Sequence, residues 1–222
     1  MSRKSYLWLL GALYSAWWVA MAIDPQDRAD WFMENALVVL GLGLLAWTYQ
    51  AFPLSRVSYT CIFIFMLLHA LGAHYTYAMV PYQEWFPSLA GGRNMFDRLV
   101  HFSYGLLLAY PIREMFLRIG NVRGFWGYFL PLDLTMSTSM LYELIEWGAA
   151  ETVGKDLGAA YLGTQGDVWD AHKDMALASL GALLAMIITA LVNRHLQRDF
   201  ASEWAESIRV KRRRPLGEEA LR

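Results

Sequence analysis

Apolar residues in this chain come in long runs rather than in alternation. Six stretches, Tyr6–Ile23, Ala36–Phe52, Val57–Ala73, Asp97–Phe116, Phe125–Trp147 and Asp174–Val192, carry few charges. They approach the roughly 20 residues a helix needs to cross a hydrocarbon core about 30 Å thick. Trp31, Tyr59, Trp126 and Trp147 flank the shorter runs, as interfacial aromatics do. None of the runs shows the period-two alternation of a lipid-facing barrel strand. The pattern predicts an all-α polytopic membrane bundle of six transmembrane helices.

Composition agrees, since 56% hydrophobic and 15% aromatic residues are too many for an ordinary soluble domain. The net charge of −1 conceals a strong segregation. With the N-terminus in the cytoplasm and the runs alternating, fourteen Lys and Arg fall inside, against five outside: Arg28, Arg93, Arg98, Lys155 and Lys173. Positive residues favour the cytoplasmic side, so both termini are expected there. The basic residues carry no nucleic-acid-binding signature and read as topology. "AMA" at Ala20–Ala22 resembles a signal-peptidase site, but the full length and aromatic content of the first run favour an anchor. Cys61, the single cysteine, lies within an apolar run, so no intramolecular disulfide is available.

Residues 1–193 read as a membrane domain and 194–222 as a basic cytoplasmic tail. In the tail, Leu196, Phe200, Trp204 and Ile208 recur every fourth residue, so a helix could lie on the membrane surface, beside the plainer reading of a basic tail that fixes topology. "KRRR" at Lys211–Arg214 would draw it to anionic head groups.

Alternation brings the unusual polar residues to the outer ends of four helices. His74 ends the third run, and Asp97 and His101 open the fourth. Glu143 and Glu146 close the fifth, while Asp167, Asp170 and Asp174 lead into the sixth. Spacings of three and four put each group on one helical face. Segments 74–101 and 143–174 together hold nine acids and four bases. Lipid cannot solvate them, so they are expected to face the bundle interior. There, clustered carboxylates must take up protons, find basic partners or bind a cation. Histidine with carboxylate suits zinc, iron or manganese; an oxygen-only set suits magnesium. His74, Asp97, His101, Glu143 and Glu146 are the candidate ligands, with Asp167, Asp170 or Asp174 as base or further ligand. Each piece also has a plainer reading. Asp167 would cap the last helix with Asp170 in its first turn. Asp97 with His101 would be an internal hydrogen-bonded pair, the glutamates solvated, and His74 with Tyr75 and Tyr77 an interfacial patch.

The stretches "HYTYAMVP" (His74–Pro81), "FDRLVHF" (Phe96–Phe102), "YELIEW" (Tyr142–Trp147) and "GTQGDVWDAHKDM" (Gly163–Met175) resemble the YjdF family of small bacterial inner-membrane proteins. The resemblance covers most of the chain and implies a multi-pass inner-membrane fold without specifying an activity. Met79 stands where the family pattern suggests Glu, and His172 where it suggests Gln. A weaker likeness to VanZ-like membrane proteins suggests an envelope-related role by analogy.

Three functions fit these observations. One is a metal-dependent enzyme acting, with water activated by the metal, on a lipid head group or lipid-linked molecule in the outer leaflet. The second is a proton- or cation-coupled transporter using Asp133, which lies deep in the fifth run. The third is a non-catalytic module binding a lipid or a partner. No phosphate-binding Gly-rich loop with its Lys and no nucleophile elbow is present.

Overall fold

The computed structural model describes residues 1–87, 92–153, 164–196 and 200–211, which form helices and connecting turns with no strand among them. The long helices are α1 (Arg3–Ala22), α2 (Arg28–Thr48), α3 (Arg56–His74), α5 (Phe96–Ile119), α6 (Trp126–Val153) and α7 (Asp170–Leu196). Two short ones, α4 (Tyr82–Trp85) and α8 (Phe200–Ser207), complete the described set. Three of them, α2, α3 and α7, are long and apolar enough on their own to cross a membrane. Lys155, Asp156 and Gly163, and Arg212–Arg214 of the basic run, lie outside the described residues.

Local chemistry sets the helix starts. Ser2 accepts from the Ser5 N–H, Asp27 from Ala29 and Asp30, and Ser55 from Ser58, each a side-chain N-cap. Because Asp27 caps α2, that helix begins two turns before the apolar run at Ala36, and its first turns carry Asp30 and Glu34. The last long helix begins at Asp170 rather than Asp174.

Contacts sort the connections into two ends. At one end Arg56 donates to the Met1 carbonyl at 3.0 Å. At that same end Glu114 of α5 accepts from the Ser55 N–H at 2.9 Å and from the Ser58 hydroxyl at 2.5 Å. At the other end the Gln26 N–H reaches the His74 carbonyl at 2.8 Å.

The α5–α7 pair forms the centre. A Cβ on Gly105 would overlap the Ala178 carbonyl, and one on Gly181 would overlap the Phe102 carbonyl. Small residues let the two backbones touch, as in tightly crossed membrane helices. Ala109, Ala182 and Ala185 continue the seam, with Tyr128 and Met186 packed beside it. The crossing lies one turn below His101 and Asp174, and so fixes the distance between them.

Outward surfaces stay apolar: Val39, Leu40, Trp47, Ile188 and Leu191 are all exposed. The tail helix α8 does not lie alone on a surface. Phe200 and Trp204 pack against the seam beside Tyr128 and Met186, and the Phe125 N–H donates to the Ser207 hydroxyl at 2.9 Å. Leu196 and Ile208, expected on the same face, are exposed.

Candidate functional site

The first turns of α5 carry Asp97 and His101, four residues apart and on one face. His101 Nε2 lies 3.5 Å from Asp97 Oδ1 and 3.7 Å from Glu143 Oε1 of α6. Across the glycine crossing, Asp174 of α7 completes the group. One ligand atom each from Asp97, His101 and Asp174 lies within 4.8 Å of the others. Asp174 is 2% exposed, and its Oδ1 and the Glu143 Oε1 are buried without a hydrogen-bond partner. Buried carboxylate oxygens are ordinarily satisfied, so two facing one imidazole form a donor set suited to a cation.

A second polar network adjoins it. Glu34 of α2, 5% exposed, accepts from the Tyr142 hydroxyl at 3.1 Å and lies 3.5 Å from that of Tyr77. The Tyr77 hydroxyl is 2.5 Å from His69 Nδ1. Burial and the neighbouring Glu34 carboxyl push the Tyr77 phenol well above its ordinary pKa.

Asp167 and Asp170 are placed differently from Asp174. The chain turns at Gln165 and Gly166, both at positive φ, and the Asp167 N–H closes the turn on the Thr164 carbonyl at 2.9 Å. Asp167 therefore lies before the helix, where it accepts from the Trp169 N–H at 3.1 Å. It is also gripped by Arg98 and Lys173, each at 2.6 Å. Asp170 pairs with Arg93 at 2.5 Å and with Arg98 at 3.3 Å. Both carboxylates are committed to cations, which leaves Asp174 as the candidate base or further ligand among the three. The expected single helical face for Asp167, Asp170 and Asp174 is broken by this turn.

His74 also lies apart. Its Nδ1 is 2.9 Å from the Met21 carbonyl, so it joins α3 to the end of α1 and is absent from the converging set. Met79 is exposed and Asp133 lies on the exposed side of α6. Asp30, Glu34, His69 and Tyr142 went unassigned from sequence, although Asp30 and Glu34 stand four apart as Asp97 and His101 do.

The turn explains the long "GTQGDVWDAHKDM" motif. Gln165 exchanges two hydrogen bonds with the Asn94 backbone, at 2.9 and 3.1 Å, and Arg93 donates to the Thr164 carbonyl. This docking aligns the start of α5 with the start of α7.

These same segments are shared with known proteins. Residues 6–195 match the family described as Predicted membrane protein (DUF2238). The chain belongs to this family. It is similar to the inner membrane protein YjdF of Escherichia coli (strain K12), 40% identical over 182 residues that cover 79% of this chain and 85% of that one. No solved structure matches. The chain is thus a membrane protein of the inner membrane, and the polar pocket, the ion-paired turn and the glycine crossing all fall inside the family region.

Proposed function

We propose that the chain crosses the inner membrane six times with both ends in the cytoplasm. Its outward-facing pocket holds a divalent cation and acts on the head group of a lipid or lipid-linked molecule. The observation that carries this reading is the meeting of Asp97, His101 and Asp174 beside the unpartnered Glu143 oxygen. The charge bias of the loops supports the sidedness. The lengths of α1, α5 and α6, at 20, 24 and 28 residues, suffice for three further crossings.

A cation bound there would polarise a phosphoryl or carbonyl oxygen and acidify water. The chain's own groups have separate parts. Asp97 and His101 hold the cation from one helical face, and Asp174 closes the set from α7. Glu143 accepts a proton beside His101. Tyr142, packed edge-on to His101 at 6.0 Å between ring centres, borders the site and donates to Glu34 of α2. Coupled transport loses its main support, because Asp133 lies outside the pocket.

The test is elemental analysis of protein purified without chelator. Near-stoichiometric zinc, manganese, iron or magnesium is expected in the unaltered chain and little in a His101→Ala, Asp174→Asn variant of equal helicity. Equal metal in both would end the metal reading. Metal loss without any change in lipid head groups on incubation with inner-membrane lipid extract would leave a binding module and no enzyme.

A further inference from the structure

Between α2 and the face made by α3, α5 and α6 lies a cavity of about 580 Å³. Leu37, Gly41 and Leu45 line it from α2, Phe65 from α3, Leu108 from α5 and Ile145 from α6. Tyr104, Thr138 and Ser139 are the polar residues along its length, and the Tyr104 and Thr138 hydroxyls are bonded to each other at 2.6 Å. The remaining polar lining collects at the outer end: His69, Tyr77, Asp97, His101 and Tyr142. The space thus has an apolar shaft with a polar head, and that head is the pocket described above.

The α2 wall from Leu37 to Leu45 runs for about 12 Å at 1.5 Å per residue. The volume divided by that length gives a cross-section of roughly 50 Å², about half that of a helix 10–12 Å across. A single extended chain fits such a shaft better than a second copy's helix. A Cβ on Gly41 would meet nothing within 4 Å, so the wall faces open space at mid-length. On its other side α2 exposes Val39, Leu40 and Trp47. In the inner membrane, hydrocarbon is what surrounds such a helix, and apolar walls keep water out.

We propose that this cavity takes one acyl chain of an outer-leaflet phospholipid and so presents its head group to Asp97, His101 and Tyr142. The head group's fate and the choice of leaflet rest on the function and sidedness proposed above; the acyl-chain subsite itself does not.

The experiment reconstitutes the full chain in vesicles containing phosphatidylglycerol with a diazirine midway along one acyl chain. After irradiation, adducts are mapped by peptide mass spectrometry. Adducts are expected on Leu37–Leu45 of α2 together with Phe65 and Leu108. Gly41→Trp should lower those on Phe65 and Leu108 about tenfold, equivalent to a steric cost of about 1.4 kcal/mol, and leave Trp47 unchanged. Leu45→Trp, further along the same wall, serves if the first variant does not fold. No adducts at Phe65 and Leu108 in the unaltered chain, or the same yield in a folded Trp variant, overturns the acyl-chain subsite. Adducts that persist in His101→Ala, Asp174→Asn protein, with no metal in the unaltered chain, would sink the metal reading alone.

Discussion

Arg98, in the first turn of α5, donates to the Asp167 carboxylate at 2.6 Å and so ties that helix to the cap of α7. Lys173, the Trp169 N–H and Arg98 hold the Asp167 carboxyl well below the usual carboxylate range. A carboxyl depressed in the folded state contributes stability above its unfolded pKa of about 3.9, and that stability is lost as pH falls through the folded value. The difference in unfolding temperature between the unaltered chain and Asp167→Asn should therefore stay constant from about pH 8 to 5 and shrink below about pH 4. A difference that closes between pH 8 and 6 would contradict the assignment.

The neighbouring aspartates should respond in opposite ways. Asp170 is 5% exposed and pairs with Arg93 and Arg98. Replacing it with Asn should cost about 3–5 kcal/mol, as removing one partner of a buried ion pair does. Asp174→Asn removes a buried acid beside other acids, so in metal-free protein it should be neutral or stabilising. Unfolding by denaturing detergent measures both. Equal destabilisation would mean that Asp174 has a structural partner.

The glycine crossing predicts a packing penalty. Gly105→Leu and Gly181→Leu each push a side chain into a carbonyl of the facing helix. Each should cost about 1–3 kcal/mol or more. Gly41→Leu, which meets nothing within 4 Å of its Cβ, should cost far less. Thermal unfolding of the three variants in one detergent ranks them.

Sidedness can be read by labelling. In a Cys61→Ser background, cysteines at Gln26 and Val168 should react in intact cells with a membrane-impermeant maleimide. Cysteines at Arg123 and Val210 should react only after lysis. All four positions are exposed, so a failure to label reports the side of the membrane.

What the sequence disclosed depended on whether a periodic cue existed. Asp97 and His101 were legible as a unit because a spacing of four fixes one face. Glu34 was hidden because the apolar run begins at Ala36, although the Asp27 cap starts the helix at Arg28. Spacing could not show that Glu143 would come within 3.7 Å of His101, since three residues leave about 60° between the Glu143 and Glu146 side chains. For His74 the helix end was evident but the rotation about the axis was not. The charge count found an acid surplus without revealing that Arg93, Arg98 and Lys173 would all go to Asp167 and Asp170. That pairing depends on the left-handed turn at Gln165 and Gly166.

The ion-paired turn would also set an order of loading on the function proposed above. Because Arg93, Arg98 and Lys173 are engaged by Asp167 and Asp170, the carboxyl groups of Asp97, Glu143 and Asp174 would meet an incoming phosphate without them. A dication bound there first would supply the opposite charge. On that reading the ion would load before an anionic head group.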